Sequence, residues 1–177
     1  MDTKIWELCI DFHGHACGGL AIGYRQSLIA MDLVSGDIER DKNEELLCIV
    51  ENDACSIDAV QVITGCTIGK GNLIYRPTGK MAMSLFNRQS GKAVRVALKP
   101  SLKTDLDWEA WQEYILNAPV DEAFWIKKPE YSPPEKAVIF CNEVCEVCGE
   151  GVPEHKIRLQ DGKKVCLDCF HDYSRGW

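Results

Sequence analysis

The chain has 177 residues, of which 46% are hydrophobic, and a formal net charge of −7 at pH 7. This length fits one medium domain, or one domain with a small module. The acidic balance argues against a protein that coats nucleic acid by charge. Apolar runs fall far short of a membrane span, and the opening "MDTKIWELCI" has no secretory pattern. We therefore expect a cytoplasmic protein that has no membrane span and does not bind nucleic acid through its overall charge.

The first third of the chain alternates helix and strand signals. Apolar spacing predicts a short helix over 3–11 and a longer one over 17–34, with Gly36 as its stop. The run "LLCIV" at 46–50 fits a buried strand, and residues 55–65 read as a further helix. The two histidines and the cysteine of "HGHACGG" lie between the first two helices.

The middle of the chain predicts a mixed sheet. Three strand-like runs, separated by glycine turns, lie at about 72–76, 80–87 and 92–98. An amphipathic helix follows over 104–118, with Thr104 as its expected N-cap, and "AFWIKK" reads as one more strand. Strands joined by tight turns and interspersed with helices favour an α+β fold.

The stretch "PEYSPPEK" at 129–136 divides the chain. It carries three prolines and few apolar side chains, which is typical of a linker. We predict a core domain over 1–130 and a second small domain over 137–177.

The ten cysteines fall into two groups of five, one between Cys9 and Cys66 and one between Cys141 and Cys169. With no export signal, metal binding or thiol chemistry is favoured over a disulfide framework. The 74 residues between the groups contain no cysteine. This distribution predicts two separate sites.

The second group has the spacing of a structural zinc site. Two C-x-x-C pairs are separated by seventeen residues: Cys145, Cys148, Cys166 and Cys169. Four thiolates close a tetrahedron around zinc and leave no open position, so the ion would serve folding. A hairpin between the pairs and a helix beginning at the second pair predict a treble-clef finger. A redox C-x-x-C pair and a chance spacing are the alternatives.

The first group predicts a functional site. If residues 12–15 are extended, His13 and His15 point to the same side. Cys17 and Cys55 each stand at the start of a predicted helix, where free N–H groups favour the thiolate. Two imidazoles and two thiols suit zinc or another late transition metal.

For this core site we expect His15, Cys17 and Cys55 as ligands and as the catalytic groups, with His13 or Asp53 supporting them. Fewer than four ligands would leave a position for water or substrate. The alternative is that these side chains are structural, since a buried cysteine usually behaves as a small hydrophobe.

Three motifs together carry a resemblance to a known family. "FHGHACGGLAIGYR" at 12–25, "ENDACSIDAVQVITGCTIGKGNL" at 51–73 and the trailing C-x-x-C pairs resemble the FmdE family, which takes its name from formylmethanofuran dehydrogenase. The resemblance implies a thioredoxin-like α+β core with a five-stranded mixed sheet flanked by helices, followed by a treble-clef zinc finger. It also implies a metal-binding active site at His13, His15, Cys17, Asp53, Cys55 and Cys66. One departure is Gly18, where the family often has proline.

Three functions compete at this point. The favoured one is a metal-binding accessory protein that associates with a molybdenum or tungsten oxidoreductase. The others are a stand-alone zinc- or thiol-dependent enzyme and a module whose finger binds a partner. Tryptophans in the middle of the chain, Trp108, Trp111 and Trp125, further predict a homodimer formed through the core.

Overall fold

The computed structural model describes residues 3–36, 43–100 and 106–173. The chain divides into two compact units, Met1–Ala137 and Val138–Trp177. We call the first the core unit and the second the finger unit, and each is described by itself.

The core unit contains five helices and five strands within its described residues. The helices are α1 (Thr3–His13), α2 (Gly18–Val34), α3 (Ser56–Thr64), α4 (Trp108–Asn117) and α5 (Val120–Ala123). The strands are β1 (Leu46–Val50), β2 (Leu73–Tyr75), β3 (Ala82–Asn87), β4 (Ala93–Leu98) and β5 (Phe124–Lys127).

The five strands form one sheet in the order β2-β1-β3-β4-β5. The β1–β2 pair is parallel and every other pair is antiparallel, so the sheet is mixed. The predicted α+β fold with a five-stranded mixed sheet is confirmed. The thioredoxin-like arrangement that the resemblance implies stays a prediction.

Two glycines of α2 let it approach α3 closely. A Cβ on Gly23 would lie 2.0 Å from the carbonyl oxygen of Ser56, so only glycine fits there. One turn earlier, a Cβ on Gly19 would lie 3.1 Å from the Cβ of Cys55. This contact brings the beginnings of α2 and α3 together and positions the candidate site.

The opposite face of the sheet is covered in part by the predicted linker. Leu47, Ile49 and Phe86 are buried there, and Tyr131 packs against them. The hydroxyl of Tyr131 lies 2.9 Å from that of Ser84 on β3. Residues 129–136 are therefore not a free tether, because Tyr131 is held on the sheet.

The helix predicted over 104–118 is shorter than expected. Asp107 is its N-cap and accepts a hydrogen bond from the backbone N–H of Ala110 at 2.8 Å. The predicted cap, Thr104, lies outside the described residues. At the other end, Arg25 of α2 donates to the carbonyl oxygens of Leu116 and Ala118 and so holds α4 against α2.

Within its described residues, the finger unit contains two small hairpins and a 3-10 turn. Its elements are β6 (Asn142–Val144), β7 (Gly151–Pro153), the 3-10 turn Glu154–Lys156, β8 (Arg158–Gln160) and β9 (Lys163–Val165). Strand β6 pairs with β7, and β8 pairs with β9. The helix predicted from Cys166 onward is wrong for the part described, since residues 166–173 form a turn and irregular backbone. The treble-clef assignment stays a prediction.

Candidate metal centres

The four finger cysteines converge. One sulfur from each of Cys145, Cys148, Cys166 and Cys169 lies within 4.8 Å of all the others. Gly149 turns the first pair back with φ +78°, and its N–H donates to the carbonyl oxygen of Cys145 at 2.8 Å. The second pair is held in a similar turn, in which the N–H of Phe170 donates to the carbonyl oxygen of Cys166. Two such turns facing each other form a four-thiolate site for zinc.

Backbone N–H groups stabilise the thiolate form of one of these cysteines, which is the form that binds a metal ion. Backbone N–H groups, that of Cys148 foremost, lower the pKa of Cys145 to about 6. The hydrogen bond with Cys166 raises the pKa of Cys169 to about 12. The backbone therefore stabilises one thiolate, and a divalent cation would supply the charge that stabilises the rest.

A second group of ligands forms where α1 ends and α2 begins. One ligand atom from each of His13, His15 and Cys17 lies within 4.8 Å of the others. Residues 12–15 do not have the extended backbone that was the condition for this arrangement, because His13 is the last residue of α1. Gly14, at φ +92°, turns the chain instead, and the ring centroids of His13 and His15 lie 4.5 Å apart.

Cys17 occupies the position predicted for it. It is the N-cap of α2, and its sulfur accepts a hydrogen bond from the backbone N–H of Leu20 at 3.3 Å. The Nε2 atom of His13 lies 3.8 Å from the same sulfur. A thiolate here would therefore face both a helix N-terminus and an imidazole.

His13 is held from its other side by a carboxylate. Its Nδ1 lies 2.7 Å from Oδ2 of Asp58 on α3, and the imidazole is only 11% exposed. A ligating histidine commonly donates its second ring N–H to a carboxylate, which fixes the tautomer. Whether His13 is a ligand or supports the other ligands stays a prediction, and the contact with Asp58 is compatible with the ligand role.

Sequence reasoning missed Asp58, although a signal existed. Asp58 follows Cys55 by three residues on a predicted helix, which places the two side chains on one face. What the sequence does not show is that α1 packs beside α3.

Cys55 lies beside the three-residue group rather than within it. A Cβ on Gly19 would lie 3.7 Å from the sulfur of Cys55 and 3.9 Å from that of Cys17, so the two thiols are neighbours. Burial and the hydrogen bond with Cys17 raise the pKa of Cys55. Cys55 as a metal ligand and catalytic group stays a prediction. The beginning of α3 is stabilised by Asn52, whose Oδ1 accepts hydrogen bonds from the backbone N–H of Ala54 and from the hydroxyl of Ser56.

The remaining residues of the family motifs, Cys66 and Asp53, are not part of the group formed by His13, His15 and Cys17. Cys66 is fully buried in the apolar core beside the equally buried Cys48, whose pKa is raised by burial and, to a smaller extent, by Cys66. Asp53 is exposed and lines a cavity of about 510 Å³. The same cavity is lined by His13, Cys55 and Asp58 and by apolar side chains such as Val50, Ile57, Ile68 and Leu73. The core site therefore opens onto a space large enough for a small molecule.

Comparison with known proteins identifies the family. The family model described as "FmdE, Molybdenum formylmethanofuran dehydrogenase operon" matches residues 12–130. The chain belongs to the FmdE family. A second model, the prokaryotic dksA/traR C4-type zinc finger, matches residues 142–175.

Two relatives extend this result. The crystal structure of an FmdE-like protein from Syntrophus aciditrophicus, named for a tungsten formylmethanofuran dehydrogenase, is 25% identical, with a TM-score of 0.69 over 94% of this chain and 90% of that one. A probable S-adenosyl-L-methionine-binding protein from Archaeoglobus fulgidus is 36% identical over 97% of this chain. The chain spans about half of that protein, 54% of its length.

Together, the zinc-finger match and the four-cysteine cluster support a metal-binding protein with structural zinc in the finger. In the described part of the chain, no helix is both long and apolar enough to span a membrane. The expected cytoplasmic location stays a prediction.

Proposed function

We propose that this protein is an accessory component of a molybdenum or tungsten oxidoreductase system, and that its core unit binds a transition metal ion through His13, His15 and Cys17. The observation that carries the core site is the 2.7 Å contact between His13 and Asp58. A carboxylate that orients an imidazole toward neighbouring ligand atoms is the usual second sphere of a metal site.

The donor set determines the chemistry. Two imidazoles and one thiolate suit zinc or another late transition metal and leave a fourth position open. The cavity beside Cys55 adjoins this position, so a bound molecule could reach the ion. An exchangeable ion at an open site also suits a role in handling metal for a larger enzyme.

The partner is argued from the relatives. The Syntrophus aciditrophicus protein is described as resembling one component of a tungsten formylmethanofuran dehydrogenase, and the family is described by the operon of the molybdenum enzyme. We infer that this chain associates with subunits of such an oxidoreductase. A homodimer through the core remains part of the proposal, supported by Trp108, whose side chain is 82% exposed.

Metal content of the full chain, purified without air and loaded with zinc, tests the core site. We expect two ions per chain, one ion for Cys17→Ser, and two for the matched control Cys141→Ser. Cys141 is exposed and lies outside both ligand groups. One ion in the unaltered chain, or two in Cys17→Ser, would contradict the proposal.

The cavity of about 510 Å³ favours a second candidate, a stand-alone metal-dependent enzyme. An open zinc position lowers the pKa of bound water and generates a nucleophile. Hydrolysis of a panel of activated esters by the zinc-loaded chain, abolished in Cys17→Ser, would favour the enzyme. Co-purification with oxidoreductase subunits and no turnover would favour the accessory role.

A further inference from the structure

A second cavity, of about 220 Å³, lies in the core unit and is lined mostly by charged side chains. We call it the basic pocket, and its charged lining residues are Glu51, Arg76, Lys80, Arg95, Lys127, Lys128 and Glu130. Thr78 and Tyr131 are the other lining residues among those that the structure describes.

The basic pocket is separate from the metal site. Val50 lines the metal-site cavity and packs in the core under the helices, whereas Glu51, the next residue, lines the basic pocket. In the same way, Tyr75 lines the metal-site cavity, whereas Arg76 lines the basic pocket.

On β4, Arg95 lines the basic pocket, whereas its neighbours Val94 and Val96 are buried in the core under the helices. Successive residues of a strand point to opposite faces, so the basic pocket lies on the face of the sheet opposite this core.

A buried ion pair forms the floor of the pocket. Glu51, only 2% exposed, accepts hydrogen bonds from Nε and Nη2 of Arg95 at 2.6 and 2.9 Å. Thr78 donates to the same carboxylate at 3.0 Å. Glu51 is thus neutralised and fixes the guanidinium, while Nη1 of Arg95 makes no hydrogen bond within the described part of the chain.

Four further cations surround this pair. Among the residues that the structure describes, none of Arg76, Lys80, Lys127 and Lys128 forms an ion pair with a carboxylate. The guanidinium of Arg76 lies 4.7 Å from the ring centre of Tyr131, which holds it at the rim. With Glu51 already paired, Glu130 is the remaining carboxylate among the described residues of the lining.

This accumulation is unusual in a chain whose net charge is −7. Like charges brought together without counterions destabilise the fold unless a bound anion compensates them. Guanidinium and ammonium groups are the side chains that bind phosphate best, Arg through paired N–H donors and Lys as a point charge.

We propose that the basic pocket binds a phosphate group, held by Arg76, Lys80 and Lys128 above the fixed guanidinium of Arg95. A phosphate dianion matches the surplus positive charge better than a single carboxylate. The volume admits one phosphoryl group, with the remainder of any phosphate ester outside the pocket.

Calorimetric titration of the full chain at 0.1 M salt tests the proposal, with inorganic phosphate in one arm and glycerol 3-phosphate in the other. We expect one saturable site per chain in at least one arm. Affinity should fall about tenfold or more in Lys80→Gln/Lys128→Gln. Affinity in both arms identifies the phosphate group alone as the ligand, and affinity only for the ester identifies a phosphorylated metabolite.

The matched control is Lys4→Gln/Lys156→Gln, which makes the same change of charge at exposed lysines outside the pocket lining. It should bind within about twofold of the unaltered chain, since neither substituted lysine lines the pocket. Absence of a saturable site in both arms would overturn the proposal. Equal weakening in the two double variants would also overturn it, because it would show an effect of net charge alone.

Discussion

The Nδ1 atom of His13 lies 2.7 Å from the Oδ2 atom of Asp58, although 45 positions separate the two residues. The contact joins the end of α1 to the first turn of α3. It turns the Nε2 edge of the imidazole toward Cys17, at 3.8 Å from the sulfur. The proposed core site depends on this pairing more than on any other.

Replacing Asp58 should weaken metal binding at the core site. Loss of a carboxylate that orients a ligating histidine typically costs 10–100-fold in affinity. We expect about tenfold for Asp58→Asn, which keeps a hydrogen-bonding group, and a larger loss for Asp58→Ala. Competition with a chromophoric zinc chelator measures both. Asp32→Asn, at an exposed position of α2, should leave the affinity unchanged, and an equal loss there would contradict this role for Asp58.

The approach of α2 to α3 should tolerate no side chain at Gly23. Its Cβ would lie 2.0 Å from the Ser56 carbonyl oxygen, so Gly23→Ala forces the helices apart. We expect a loss of about 1–3 kcal/mol in the free energy of unfolding, as for overpacked cores. Urea denaturation measures it. Gly69→Ala, where a Cβ meets no atom within 4 Å, should change stability little, and equal losses would show that the contact is unimportant.

We expect the finger unit to need its zinc ion to stay folded, and the core unit to stay folded without that ion. Cys166→Ser removes one of four converging ligands, and structural zinc sites lose their fold without metal. We expect loss of one zinc ion and rapid proteolysis after about residue 140. The core unit, with its own apolar core, should keep its unfolding midpoint. Retention of full zinc content would refute the four-cysteine assignment.

The buried pair of Glu51 and Arg95 should make stability depend on pH. The hydrogen bond from Arg95 lowers the pKa of Glu51 below its usual 4.5. A depressed pKa stabilises the fold above the unfolded value, and that contribution is lost as pH falls through the folded one. Glu51→Gln should therefore cost about 2 kcal/mol at pH 7.

The difference between Glu51→Gln and the unaltered chain should narrow below about pH 4.5, the usual pKa of the carboxyl. Urea denaturation across pH 3–7 follows it. A difference that is constant over this range would mean that ionisation of Glu51 does not contribute.

Local signals predicted much of the core. The strands at 46–50, 80–87 and 92–98 could be predicted because the apolar pattern of a strand and the glycines of a turn are signals within a few neighbouring residues. The helix stop at Gly65 has the left-handed φ of +74° that favours glycine. The FmdE resemblance predicted the five-stranded mixed sheet.

Features that depend on tertiary packing could not be predicted from such local signals. The partnership of His13 with Asp58 requires α1 beside α3. Burial and the hydrogen bond with Cys17 raise the pKa of Cys55, and the close approach of Gly19 to Cys55 depends on α2 packing beside α3. Tyr131 stands in a proline-rich stretch typical of linkers, yet the Ser84 hydroxyl and the sheet face hold it.

The position of bound metal tests the central claim most directly. A crystal structure of the zinc-loaded full chain, with anomalous scattering recorded at the zinc edge, should show two peaks per chain. One should lie among the four finger cysteines. The other should lie about 2.0–2.3 Å from ligand atoms of His13, His15 and Cys17, with Asp58 on the far nitrogen of His13. A peak in the finger alone, or a second peak away from these three side chains, would contradict the account.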